Sequence, residues 1–147
     1  MEQQILDAPS DVGKKLDYAG FWIRVGAVII DAVILQVINV ALAFIIVGSY
    51  DMLAPSLSVQ IFSAVLGVLY YIGMESSSRQ ATLGKMAVGI KVGKANGERI
   101  SFLNATGRYF AKIISVMILL IGYIMVAFDS KKQGLHDKLA NTYVYYG

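Results

Sequence analysis

Cysteine is absent from the sequence, histidine occurs once, and charged residues make up only 16% of the chain. Without cysteine the chain can form no disulfide, ligate no iron–sulfur cluster and offer no thiol nucleophile. A single His136 weakens any metal site further, so we expect neither a metal nor a cofactor. The low charge and the 56% apolar content lie outside the range of soluble domains, which predicts a membrane protein with the lipid bilayer as its partner.

The apolar residues form long runs. The first, Phe21 to Gly48, exceeds the roughly 20 residues that cross a hydrocarbon core, and Phe21 and Trp22 at its start suit the headgroup boundary. After a short turn, Leu57 to Met74 gives a second run of about 18 residues, which must return antiparallel. These two runs predict two transmembrane helices.

Basic residues mark the side of the membrane on which the connections lie. The stretch 75–112 carries most of them: Arg79, Lys85, Lys91, Lys94, Arg99, Arg108 and Lys112. By the positive-inside rule this stretch is cytoplasmic, so the net charge of +3 needs no nucleic-acid partner to explain it. Residues 1–20 are polar and partly acidic, unlike a cleaved signal peptide, and are expected to form a cytoplasmic tail.

Within this loop, Val88 to Val92 alternates in character and is followed by Asn96-Gly97, which predicts a small β-hairpin with Arg99 to Phe102. Ser101 can cap a helix that begins near Phe102 and runs into the third apolar segment.

The third apolar segment, about 110–128, has two possible topologies. Its strictly apolar part is about 24 Å long as a helix, against a hydrocarbon core of roughly 30 Å. A single span places the basic tail outside, whereas a re-entrant turn near Gly122 keeps the tail in the cytoplasm. We favour the re-entrant form, which also lets the alternating tail Asn141 to Tyr146 add a strand to the hairpin.

Asp31 is the most informative residue, because a carboxylate inside a span costs several kcal/mol unless it is paired or hydrated. Arg24 lies two helical turns earlier on nearly the same face, and Asn39 falls near that face. Arg108 and Lys112, one turn apart, are cations that can approach Asp31 or Asp137. The pattern predicts a buried polar network.

Two interpretations of this network remain open. The commoner one is that intramembrane ion pairs fix helix packing and register. In the other, Asp31 binds and exchanges a proton or a monovalent cation, which requires an aqueous path. Two or three helices hardly enclose such a path, so this interpretation requires a homo-oligomer or a membrane-protein partner.

His136-Asp137 does not predict an enzyme. Adjacent residues are expected to point their side chains apart, and no serine stands at a recognisable nucleophile elbow. A turn or cap after Gln133-Gly134 is the commoner use of such a segment, with His136 in a supporting role.

Four stretches carry a resemblance to a known family: Phe21-Trp22-Ile23-Arg24 with Asp31, Gln80-Ala81-Thr82-Leu83-Gly84-Lys85, Gly89-Ile90-Lys91-Val92, and Lys131-Lys132-Gln133-Gly134-Leu135-His136-Asp137 followed by Ala140 and Thr142. Over about Asp17 to Tyr146 the chain resembles the RDD family, named for one Arg and two Asp residues. The resemblance implies that Arg24, Asp31 and Asp137 are those three residues. It also implies a bacterial membrane protein for which ion or small-solute transport, such as cation/proton exchange, is the usual proposal.

The sequence therefore predicts an all-α polytopic protein of the bacterial cytoplasmic membrane, with two transmembrane helices, a third spanning or re-entrant segment, and a small cytoplasmic β-hairpin. A single membrane domain is expected over 21–147. Its expected function is oligomeric ion or small-solute transport, and the alternative is a non-transporting membrane scaffold or accessory subunit.

Overall fold

A computed structural model describes residues 16–118 and 121–147. Most of the expected N-terminal tail, residues 1–15, lies outside the described residues. The elements in chain order are α1 (Phe21–Val47), α2 (Leu57–Ser76), α3 (Leu83–Ala87), β1 (Ile90–Gly93), α4 (Phe102–Met117), α5 (Ile121–Phe128), α6 (Leu135–Leu139) and β2 (Tyr143–Tyr146). The fold is mostly helical with one small antiparallel sheet, as predicted.

Helices α1 and α2 are long and apolar enough to cross a membrane. With 27 residues, α1 is about 40 Å long and exceeds a hydrocarbon core of roughly 30 Å, so it is long enough to span with a tilt. Gly48 ends α1 in the left-handed conformation at φ 77°, which glycine adopts without strain. Both helices expose large apolar side chains, which fits lipid contact.

The third apolar segment is broken rather than straight. Helices α4 and α5 meet at 101°, so neither half alone has the length of a span. Ser101 caps α4 as predicted, because its hydroxyl accepts a hydrogen bond of 3.1 Å from the amide of Asn104.

The strand pairing shows at which end of the molecule the tail lies. Strand β2 pairs antiparallel with β1, with Ile90 opposite Tyr146, and its other side meets the segment before α1, where the amide of Ala19 donates to Val144 at 2.9 Å. The start of α1, the connection after α2 and the tail therefore lie at one end of the α1–α2 pair. The bent α4–α5 segment connects β1 to the tail and begins and ends at this end.

The strand that was expected at Arg99 to Phe102 does not form, and the tail strand pairs with β1 in its place. The turn itself is present, with Gly97 at φ 81° and the amide of Lys94 donating to the carbonyl of Glu98 at 2.9 Å. Because Ser101 already caps α4, the residues after Arg99 turn into that helix and leave the edge of β1 open for β2.

The apolar core lies at the same end of the molecule. Its buried members come from the segment before α1, five of the elements and the loop before α4: Ala19, Ala27, Ile72, Ile90, Val92, Ile100, Ala105 and Val144. This core holds the sheet against the ends of the long helices, and the polar groups described next lie beside it.

Candidate functional site

Asp31 is buried in α1, with 1% of its surface exposed, and three neutral groups bind its carboxylate. Oδ1 accepts hydrogen bonds from the Tyr70 hydroxyl at 2.6 Å and the Gly84 amide at 2.7 Å, and Oδ2 accepts one from the Thr82 hydroxyl at 2.6 Å. Within the described ranges, no Lys, Arg or His lies within salt-bridge distance of Asp31. We call these four residues the Asp31 site.

The short helix α3 brings two of these groups to Asp31. Thr82 is the N-cap of α3, and its hydroxyl accepts from the Lys85 amide at 3.3 Å while it donates to Asp31. Gly84 lies so close to α1 that a β-carbon would overlap the carbonyl oxygen of Ala27 and lie 2.8 Å from Cγ of Asp31. Glycine at this position is therefore required for the contact of α3 with α1.

A second group of ionised residues surrounds Glu75 at the end of α2. The Glu75 carboxylate is 2% exposed and contacts three cations. Oε1 contacts Nζ of Lys85 and lies 3.0 Å from Nζ of Lys112, and Oε2 lies 2.9 Å from Nε of Arg108. Glu75 therefore ties α3 and α4 to α2.

Asp137 in α6 is fully buried and binds two guanidinium groups. Oδ1 contacts Arg108, and Oδ2 lies 2.5 Å from Nη1 of Arg24 and accepts a hydrogen bond of 3.0 Å from the Gly134 amide. Because Arg108 contacts both Glu75 and Asp137, it joins the two carboxylates into one network. We call Arg24, Glu75, Lys85, Arg108, Lys112 and Asp137 the charge cluster.

The two guanidinium groups also hold the loops at this end of the molecule. Arg24 donates through Nε to the Ala19 carbonyl at 3.1 Å and through Nη2 to the Lys132 carbonyl. Arg108 donates to the Thr142 hydroxyl at 2.8 Å, next to β2. The charge cluster thus ties the start of α1, the loop before α6 and the tail together.

The charge cluster holds four cations and two carboxylates, so when every group is ionised the positive charges outnumber the negative ones. Burial disfavours the charged form of an amine. Burial, followed by repulsion from Lys112 and Arg108, lowers the pKa of Lys85 to about 7, against the attraction of Glu75. Lys85 can therefore exchange a proton near neutral pH.

His136 lies at the edge of the charge cluster. Its ring packs against that of Tyr123 at a tilt of 42° with centroids 4.8 Å apart. Nε2 is 3.5 Å from Oδ1 of Asp137, and the buried Nδ1 has no hydrogen-bond partner among the described residues. The expectation that the two adjacent side chains point apart is thus wrong, because the first turn of α6 brings both toward Arg108. Burial, with repulsion from Arg108 and other cations, holds the pKa of His136 far below its usual value.

The predicted site residues divide between these two groups. Arg24, Asp137, Arg108 and Lys112 meet in the charge cluster, and His136 borders it. Asp31 is bound instead by neutral donors. Asn39 belongs to neither group, and its buried Oδ1 has no hydrogen-bond partner in the described part of the chain.

Five residues of these two groups and their contacts were not assigned to the polar network from the sequence, although four of them stand in the motifs of the family resemblance: Glu75, Thr82, Gly84, Lys85 and Thr142. The signal for Glu75 was its position at the end of the second apolar run, where a carboxylate next to a basic loop invites pairing. No periodicity marks Thr82 and Gly84, because their role depends on how a loop folds back against α1.

The profile of the RDD family matches residues 18–141 of the chain. Three curated proteins of Bacillus subtilis (strain 168) are similar to it. The uncharacterized protein YxaI is 39% identical, and the match covers 87% of this chain and 97% of YxaI. The uncharacterized membrane protein YteJ is 32% identical over 86% of this chain and 80% of YteJ. The uncharacterized protein YckC is 31% identical over 87% of this chain and 84% of YckC. No solved structure matches the chain.

Proposed function

The chain belongs to the RDD family, and on that premise we propose that this membrane protein transports an ion or small solute as an oligomer, by cation/proton exchange at Asp31. The observation that carries the proposal is the buried Asp31 carboxylate, which three neutral groups bind and which contacts no cationic side chain among the residues described. A carboxylate inside a span without a fixed counter-ion is available to a proton or a mobile cation.

The atoms around Asp31 suit a small monovalent cation. The hydroxyl oxygens of Tyr70 and Thr82 lie 2.6 Å from the carboxylate and carry lone pairs as well as protons. Rotation of both hydroxyls turns these donors into additional oxygen ligands. Protonation of the carboxylate removes its negative charge, so a proton and a cation compete for the same group.

Access to Asp31 runs past α3. Thr82 and Gly84 cover the carboxylate from the end of the molecule where the loops meet, so an ion that reaches Asp31 from this side must displace them. Two spanning helices do not enclose an aqueous path by themselves, which supports a homo-oligomer or a membrane-protein partner that completes it.

The orientation follows from the basic residues. The loop between α2 and α4 and the tail lie at the same end of the α1–α2 pair and together carry Lys85, Lys91, Lys94, Arg99, Lys132 and Lys138. By the positive-inside rule we place this end in the cytoplasm, with α1 and α2 crossing the bacterial cytoplasmic membrane.

The test is ion flux in proteoliposomes that contain the purified full chain under imposed pH and Na⁺ or K⁺ gradients. We expect wild type to exchange cations for protons and the flux in Asp31→Asn to fall at least about tenfold, since a neutral amide takes up no proton and lacks the negative charge that holds a cation. Asp51→Asn, the same change in the exposed turn between α1 and α2, is the matched control and should keep wild-type flux. Unchanged flux in folded Asp31→Asn would refute the proposal.

A second function, a non-transporting membrane scaffold or accessory subunit, is favoured by the charge cluster itself. Each of its six members already has a partner, and together they tie five helices and the loops at one end into a single body. Such a network suits a rigid platform as well as a transporter. No flux from wild type, together with a partner that copurifies stoichiometrically, would decide for the scaffold.

A further inference from the structure

Helix α3 is fixed at two points that have different chemistry. At its start, Thr82 and Gly84 bind the Asp31 carboxylate. One residue further, Lys85 contacts Oε1 of Glu75 on α2. Since α3 is only 5 residues long, these contacts cannot be made independently. A movement of Lys85 therefore also moves Thr82 and Gly84, which cover Asp31.

Among the four cations of the charge cluster, Lys85 is the one whose positive charge Glu75 needs least. Its side chain is 8% exposed, and it shares Oε1 of Glu75 with Lys112, which lies 3.0 Å from that oxygen. Oε2 is held by Arg108 at 2.9 Å. If Lys85 loses its proton, Glu75 therefore keeps two cationic partners, and the neutral amine can still donate a hydrogen bond to it.

The charged and titratable groups around α3 come from four elements. They are Asp31 of α1, Tyr70, Tyr71 and Glu75 of α2, Arg108 and Lys112 of α4, and Lys91 of β1. Arg79, in the loop before α3, also approaches the helix through its contact with the sulfur of Met86. Lys91 is exposed and outside the charge cluster. Lys112 and Arg108 repel a charged Lys85, while Glu75 attracts it.

We infer that Lys85 is a proton-operated latch for α3: loss of its proton fixes α3 over Asp31, and protonation favours release of α3 from Asp31. The inference rests on the proposed function for its purpose, because α3 is the cover through which an ion reaches Asp31 from the cytoplasm. Acid on this side then opens access to the exchanging carboxylate, and alkali closes it.

The direction follows from proton linkage. With α3 docked, burial lowers the pKa of Lys85 from 10.5 to about 7, whereas a released, hydrated Lys85 returns toward its ordinary value. Between these two values the released state binds more protons, so docking strengthens as pH rises through this window and levels off below about pH 7. From about pH 7 to about pH 8.5 the released fraction should fall about tenfold.

Hydrogen–deuterium exchange of the full chain in lipid nanodiscs measures this release without requiring transport. The reporters are the amide of Gly84, which donates to Asp31, and the amides of Met86 and Val88, which close α3 on Thr82 and Gly84. After division by the intrinsic exchange rate at each pH, their protection should rise about tenfold from about pH 7 to about pH 8.5 in wild type. The amide of Ile118, which closes the end of α4, should show no such change.

Three variants identify the group responsible. Lys85→Met carries no charge, so α3 should stay protected at every pH. Lys85→Arg stays charged, so α3 should be less protected than in Lys85→Met at every pH. Neither variant should show the tenfold change. Lys91→Met, at the exposed lysine of β1, should behave as wild type.

A wild-type protection that does not change with pH would overturn the latch, whether or not the variants fold. A tenfold change that persists in folded Lys85→Met would also overturn it, by assigning the proton to another group. Since neither outcome depends on ion flux, the latch can fail while exchange at Asp31 stands, and exchange can fail while the latch stands.

Discussion

Nη1 of Arg24, in the first turn of α1, lies 2.5 Å from the carboxylate of Asp137, which follows 113 residues later in the chain. The contact joins the first helix to α6, and Arg108 approaches the same carboxylate from α4. Two guanidinium groups from two different helices therefore share one buried acidic group. Asp137 should for this reason matter more for stability than either of its partners.

We predict that Asp137→Asn destabilises the chain by about 3–5 kcal/mol, because it leaves Arg24 and Arg108 as buried charges without their shared partner. Thermal unfolding in detergent, followed by circular dichroism, measures the loss. The matched control is Glu98→Gln, which removes a carboxylate from the exposed Lys94–Glu98 pair and should leave the unfolding temperature unchanged. Equal effects of the two substitutions would contradict a structural role for Asp137.

Gly84→Ala should separate α3 from α1. Its methyl group would overlap the Ala27 carbonyl oxygen, a backbone atom that cannot move aside without bending α1. We expect a loss of about 1–3 kcal/mol, typical of overpacking, with faster hydrogen exchange in α3. Gly107→Ala, in the exposed middle of α4 where a β-carbon meets nothing within 4 Å, should instead stabilise the chain by about 0.5–1 kcal/mol. A Gly84→Ala protein as stable as wild type would show that α3 docks more loosely than described.

Sequence alone could predict the helices and part of the charge cluster. The spacing of the apolar runs gives α1 and α2, and the rarity of charge inside them draws attention to Arg24 and Asp31. The sequence did not indicate which groups these two residues bind. Arg24 and Asp31 share a helix face, yet Arg24 binds Asp137 while Asp31 binds a loop, because the fold places α6 and α3 against different levels of α1.

The sheet shows a similar limit. The alternation of β1 and of the tail was visible in the sequence, and so was the Asn96-Gly97 turn. Which strand pairs with β1 depends on Ser101, whose capping of α4 removes the local candidate. A hairpin is the expectation from local sequence, whereas the observed partner follows β1 by about fifty residues and is brought there by the bent α4–α5 segment.

Single cysteines test the topology, because the chain has none of its own. A membrane-impermeant maleimide added to intact cells should label Leu53→Cys, in the exposed turn between α1 and α2. It should label Glu98→Cys and Lys138→Cys only after the membrane is permeabilised, since both lie at the other end of the α1–α2 pair. Labelling of Lys138→Cys in intact cells, with Glu98→Cys protected, would mean that α4–α5 crosses the membrane.

Acid should destabilise the fold through His136. Burial first, and then repulsion from Arg108, Lys112 and Arg24, keeps its pKa well below the usual 6.5, so the folded chain holds it neutral. The unfolded chain binds a proton below about pH 6.5, and the folded chain does not. The stability that depends on His136 is therefore complete above pH 6.5 and falls by about 1.4 kcal/mol for each pH unit below it.

Unfolding temperatures of wild type and His136→Gln between about pH 5 and pH 7.5 test this prediction. The substitution removes the titrating group, and Nδ1 of His136 has no hydrogen-bond partner to lose in the described part of the chain. We expect the pH dependence to be weaker in His136→Gln by close to one proton, because the unfolded variant no longer gains that proton. Parallel curves for the two proteins would assign the acid sensitivity to other groups and would mean that His136 is charged where it lies.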